Sequence, residues 1–167
     1  FDYEKAKWFN HEWIKGLPVS DFRLRIEPVI KDSKIDSSDT EKLEKIIGLV
    51  KDRCTFLTDF YEQASYFFVT PETLDVDAVK PKWNDEKKNF FLEFINKLLA
   101  IENWRLEEIE DVFKNLATEK TIKPGELQMP LRVMLVGGKF GPPVFVIAEN
   151  IGKAETIKRI ENALKVF

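Results

Sequence analysis

Between residues 43 and 64 the chain carries Leu43, Ile46, Ile47, Val50, Cys54, Leu57, Phe60, Tyr61 and Ala64, apolar positions mostly three or four apart. An α-helix turns every 3.6 residues, so such positions fall on one face and demand a partner to bury them. The spacing predicts one continuous helix from about Leu43 to Phe67-Phe68, ending before Thr70-Pro71. Ser38 and Glu41 have the spacing of a capping box at its start. The same rhythm recurs from Lys5 to Lys15, where Gly16-Leu17-Pro18 stops it, and in a short element around Asp21 to Ile30. Asn84 is placed to cap a helix carrying Phe91, Phe94, Ile95, Leu98 and Leu99. Another runs from about Leu106 through Ile109, Val112, Phe113 and Leu116, and a last one from Ala154 to Val166. No stretch alternates as a strand does, and the expected fold class is all-α. The segment TPETLDVDAVKPKW has two prolines and no sustained period. It predicts a boundary between two small helical subdomains, residues 1–75 and 76–167.

With 44% hydrophobic residues, the chain has enough apolar surface for a core. One cysteine, Cys54, cannot close an internal disulfide, and with the single histidine, His11, it cannot supply the roughly four ligands of structural zinc. A reducing, cytoplasmic protein without structural metal is expected. No run reaches the roughly 18 apolar residues of a membrane span, and the first residues, FDYEKAKWFN, do not read as a signal sequence. The chain starts with Phe rather than Met, so an internal fragment or processed product is expected. Net charge is −3, yet residues 118–167 hold eight Lys/Arg against five Asp/Glu. A basic C-terminal third on an acidic body permits a local contact with a polyanion.

Catalytic constellations are missing. His11-Glu12 lacks a second histidine four residues on, Gly137-Gly138 is not followed by a phosphate-loop GK[ST], and Glu107/Glu108 and Glu110/Asp111 lie among basic residues as a solvated helix face. Phe56, Phe60, Tyr61, Phe67 and Phe68 stand at helical spacing, which favours core over base stacking. Arg53, beside Cys54 and the apolar stripe, reads either as a snorkelling or salt-bridged arginine or as a functional one.

One stretch departs from plain helix. PLRVMLVGGKFGPPVF, residues 130–145, concentrates three of the seven glycines and three of the eight prolines. Pro130 suits the start of a short helix, Leu131 to Val136, which Gly137-Gly138 would end. Gly141-Pro142-Pro143 suits a tight turn into a helix from Val144 to Ile151. The resulting elbow, with Arg132 on its first arm, is either a structural corner or a concave site where backbone and guanidinium meet an unpaired base or phosphate.

Over almost its whole length the chain resembles the C-terminal, anticodon-binding region of bacterial glutamyl-tRNA synthetases. The resemblance rests on DYEKAKWFNHEWI, LVKDRCTFLTDFYEQASYFF, and IENWRLEEIEDVFKNLATEKTIKPGELQMPLRVMLVGGKFGPPVF, in this order and spacing. It implies an α-helical cage of two subdomains that grips the anticodon loop of glutamate tRNA. In the family, an arginine of the first subdomain reads the third anticodon base, and the matching position is Arg53. The arginine of the Pro-Leu-Arg motif contacts another base, which carries over to Arg132. The following turn supplies backbone and apolar contacts, matching Gly141, Pro142 and Val144. Lys120, Lys123 and Lys139 are candidate phosphate contacts. Gly141 stands where Thr is common in the family, and Met129 where Gln commonly precedes the proline. The His-Ile-Gly-His and Lys-Met-Ser-Lys-Ser type signatures of the family's catalytic domain do not occur. The resemblance therefore implies a monomeric fragment without cofactor, inactive alone, working with an N-terminal catalytic domain that binds ATP and magnesium. The alternative expectation is a helical protein-interaction module without an RNA-binding role.

Overall fold

Asp2 sets the first helix: its carboxylate accepts from the Lys5 amide at 3.1 Å, a donor no helical carbonyl could satisfy. In a computed structural model, which describes residues 2–167, this helix is α1 (Tyr3–Gly16). There follow α2 (Val19–Ile30), α3 (Thr40–Val50), α4 (Asp59–Ala64), α5 (Val76–Val79), α6 (Asp85–Leu99), α7 (Leu106–Glu119), α8 (Pro124–Val136), α9 (Val144–Ile151) and α10 (Lys153–Ala163). Among the described residues there is no strand. The chain divides into two compact units, Phe1–Val69 and Thr70–Phe167.

In the first unit, α2, α3 and α4 bury one apolar face each: Phe22, Ile26 and Ile30, then Leu43, Ile46, Ile47 and Val50, then Phe60 and Ala64. Phe22 and Phe60 meet edge to face with centroids 5.8 Å apart. The cap of α3 is Asp39, not Ser38: its carboxylate accepts from the Lys42 amide at 3.0 Å, while the Ser38 hydroxyl donates to Asp36 at 2.6 Å.

The continuous helix expected from Leu43 to Phe68 is interrupted. After α3 comes a tight turn, Lys51–Arg53, and Cys54 is extended at φ −93 and ψ 130. The Thr55 and Phe56 amides turn to the Asp59 carboxylate, at 2.9 and 2.8 Å, instead of to carbonyls one turn back. Helix α1 braces the break. Asn10 donates to the Thr55 carbonyl, a His11 ring nitrogen lies 3.0 Å from the Cys54 oxygen, and buried Lys51 donates to the Ile14 and Lys15 carbonyls at the end of α1.

The boundary between units lies at Val69/Thr70 rather than after residue 75. Two bonds tie the intervening segment into the second unit: the Asp75 amide donates to Gly137 at 2.8 Å, and the Thr70 hydroxyl donates to Glu155. Burial pushes the Glu155 carboxyl up, but hydrogen bonds from Thr70 and Arg159 outweigh it and hold it below its ordinary 4.5. A depressed carboxyl stabilises the fold above its unfolded-state pKa, and that contribution is lost as pH falls through the lower folded-state value. Acidification through that window is expected to release residues 70–75, seen as a shift of the Asp75 amide resonance that tracks Glu155 protonation.

The second unit is built on rings. Phe90 and Phe94 of α6 each lie 5.3 Å from Phe113 of α7, which lies 5.1 Å from Phe145 of α9. Asn84 caps α6 at 3.0 Å. Side chains of α9 or its carbonyls fix the start of α7: Glu149 accepts from the Leu106 amide at 3.0 Å, and Trp104 donates to Ala148 at 3.0 Å. Cations finish helix ends, where carbonyls lack partners. Lys153 donates to Leu99 and Ile101 at 2.6 and 2.8 Å, and Arg159 to Leu135 at 2.6 Å.

Helix α8 starts six residues before the expected Pro130. Pro124 takes its first turn, where a missing amide costs nothing, and Pro130 lies buried inside the helix. Only a short turn around Thr121, at φ 59, separates α7 from α8. The last helix ends at Ala163 rather than Val166.

Candidate nucleic-acid interface

Gly137 ends α8 in the left-handed region at φ 89, its amide donating to Val133 at 2.8 Å. A Cβ there would meet the Thr73 carbonyl at 2.7 Å, so glycine is required twice over. The chain then passes Lys139 and Phe140 to Gly141, at φ 99, and Pro142-Pro143 lead into α9. The elbow read from the sequence is present, with its second arm at Val144–Ile151.

Arg132 closes it. One guanidinium nitrogen, Nη1, donates to the carbonyl oxygens of Phe140 at 2.9 Å, Gly141 at 3.2 Å and Pro142 at 2.7 Å. Pro142 and Val144 are buried, so their side chains support the turn from within. Lys139 and Pro143 are exposed on it.

Below the elbow, a cleft of ≈ 480 Å³ opens between the α5 end and α8, walled by Pro81, Met129 and Pro130 and edged by Lys82 and Lys139. Among the described residues, neither lysine side chain makes an ion pair. Lys82 and the half-exposed Met129 were not among the sequence candidates; the prolines and lysines of KPKW were the available signal. Lys123, at the cap of α8, is exposed. Lys120 differs: its ammonium pairs with Glu93 at 2.6 Å, a hydrogen bond that raises its pKa and occupies it between α7 and α6.

In the first unit, Arg53 is the last residue of the turn that breaks the long helix, and it is exposed. Among the described residues no hydrogen bond or ion pair engages its side chain. The neighbouring Cys54 thiol is buried and pushed up to about 12, chiefly by burial and then by Asp59. It is no nucleophile at neutral pH. Among the described residues no three His, Cys, Asp or Glu stand together as metal ligands, and no helix is long and apolar enough to cross a membrane.

Residues 4–164 match the protein family described as the anticodon binding domain. The chain belongs to that family. Among curated proteins, a glutamate–tRNA ligase of Phocaeicola vulgatus is 34% identical over 167 residues, all of this chain and 33% of the relative. One of Flavobacterium psychrophilum is 35% identical over 164 residues. Among solved structures, a glutamate tRNA ligase from Elizabethkingia meningosepticum superposes with a TM-score of 0.88 at 36% identity, covering 99% of this chain and 32% of that one. This anticodon-binding domain thus spans about a third of the length of the ligases it matches. Its two candidate arginines are in opposite states: the Arg53 side chain is uncommitted among the described residues, while Arg132 is bound to its own elbow.

Proposed function

We propose that the chain reads the anticodon loop of glutamate tRNA for a glutamate–tRNA ligase. The observation that carries this reading is Arg53, an exposed guanidinium without a partner among the described residues, held on a braced helix break in a member of an anticodon-binding family. Cytosine presents O2 and N3 as acceptors on its Watson–Crick edge, which a guanidinium fork satisfies; guanine turns N–H donors toward it. The elbow at Gly141 and Pro142, with Arg132 and Val144 behind it, offers backbone to a second base. Lys123 and Lys139 are placed for phosphates, and Lys82 joins them at the cleft. Phosphate contacts set affinity and register, base contacts set identity.

ATP, magnesium and the chemistry of glutamate activation belong, on this reading, to a catalytic domain of the same polypeptide. A monomer at work in the cytoplasm fits it. A second, protein-facing role is favoured by α1, which buries only Ile14 and turns Tyr3, Trp8, Phe9 and Trp13 outward. The catalytic domain is the partner proposed for that face.

Fluorescence anisotropy with an RNA hairpin carrying the glutamate anticodon loop, against one with the same stem and an unrelated loop, tests the reading. The cognate loop is expected to bind at least about tenfold more tightly, a difference of about 1.4 kcal/mol. Equal affinities would leave only phosphate binding and sink it.

A further inference from the structure

Three carbonyl oxygens that converge on one point repel each other unless a cation sits among them. At the elbow, the oxygens of Phe140, Gly141 and Pro142 converge on Arg132 Nη1 at 2.7–3.2 Å. The local chain cannot neutralise them itself. Pro142 and Pro143 have no N–H to donate, and Gly141 supplies the turn at φ 99 without a side chain that could reach the oxygens. A guanidinium, with five donors in a fixed fork and a permanent charge, is suited to hold such a turn. Through that nitrogen Arg132 is tied to three carbonyls in a half-buried site, and a carbonyl left unpaired there costs more than one exchanged for water.

We propose that Arg132 is a positioning residue: it presets the Phe140–Pro143 elbow, whose exposed residues, Lys139 and Pro143, meet the RNA. The arm of this proposal that concerns RNA rests on the reading given above; the arm that concerns the elbow does not. Preorganisation of this kind strengthens binding of every ligand that uses the turn, because the ordering cost is met before the ligand arrives. A base-reading arginine instead strengthens binding of one base over others.

The two roles separate in a pair of measurements on the parent chain, Arg132→Gln and Arg132→Lys. The first is 15N relaxation of the Phe140, Gly141 and Val144 amides. The second is affinity for a set of hairpins in which each anticodon base is replaced in turn. Arg132→Gln is expected to lower the elbow order parameters from about 0.85 to below about 0.6 and to weaken all the hairpins by one common factor, about tenfold. Arg132→Lys should recover part of both, since an ammonium brings three rotatable donors and a charge. An elbow that stays ordered in Arg132→Gln overturns the proposal, whether or not discrimination at one base is lost. Should Arg132→Gln fail to fold, Arg132→Lys decides: an ordered elbow with discrimination lost at a single base overturns the clamp, and parent-like discrimination with a partly loosened elbow supports it. If the parent chain binds no hairpin while Arg132→Gln still loosens the elbow, the RNA reading fails and the clamp stands.

Discussion

Phe113→Ala is expected to destabilise the second unit by about 3–5 kcal/mol, the range for a large aromatic removed from a packed core. Phe113 is fully buried, with Phe90, Phe94 and Phe145 all within 5.3 Å of its ring centre. Alanine leaves a cavity that three rings attached to two other helices cannot all move to fill, and it removes the edge-to-face contacts as well. The change also reaches the elbow. Phe145 is the second residue of α9, directly after the turn that Arg132 holds. Urea unfolding followed by circular dichroism should show the lower midpoint, and hairpin affinity should fall in the same variant although Phe113 touches no RNA.

Arg159→Met comes next in size. Arg159 is 3% exposed, and its guanidinium donates to Glu155 at 2.8 Å and to Leu135 at 2.6 Å. Methionine keeps much of the apolar length but leaves the Leu135 helix-end carbonyl without its donor and the Glu155 carboxylate with Thr70 in place of two donors. The cost falls chiefly on the Leu135 carbonyl, about 1–3 kcal/mol for a buried acceptor left unpaired, because Glu155 keeps Thr70. A lower thermal midpoint is expected together with a higher pKa for Glu155, since one of the hydrogen bonds that hold it down is gone. A variant with the lower midpoint and an unmoved Glu155 would mean that lost packing, not the lost donor, carries the effect.

The helical class and most helix starts were legible because they depend on local rules: apolar spacing, Asn84 as a cap, Gly137 as a stop, Val144 after two prolines. The break at Cys54 was hidden because its cause is not local. Cys54 stays buried within it, and Val50 and Phe60 on either side, so the apolar rhythm continues through a chain that is no longer helical. What bends the backbone is Asp59 taking two amides and α1 offering Asn10, His11 and its own last carbonyls to Lys51. The break is also what places Arg53 in solvent rather than beside an apolar stripe. At Pro130 the usual rule against proline inside a helix misplaced the start of α8, since Pro124 six residues earlier had already supplied one.

The candidate site divides in the same way. Positions were readable, but the state of each charge was not. Arg132 meets carbonyls eight to ten residues ahead only because the turn folds back on its helix, and Lys120 meets Glu93 across two helices. Spacing along a sequence cannot report either pairing. Lys82 and Met129 enter the cleft because α5 and α8 lie side by side.

Recognition by Arg53 is tested most directly with two hairpins that differ only at the third anticodon base, cytosine in one and guanine in the other, each titrated against the parent chain and Arg53→Gln. The parent chain should favour cytosine by about 1–3 kcal/mol, the usual worth of a good base contact. Arg53→Gln should keep its fold, because the side chain it replaces is exposed and has no partner among the described residues, and should bind the two hairpins alike. A parent chain that binds both equally, or an Arg53→Gln variant that keeps the full preference for cytosine, would contradict the account.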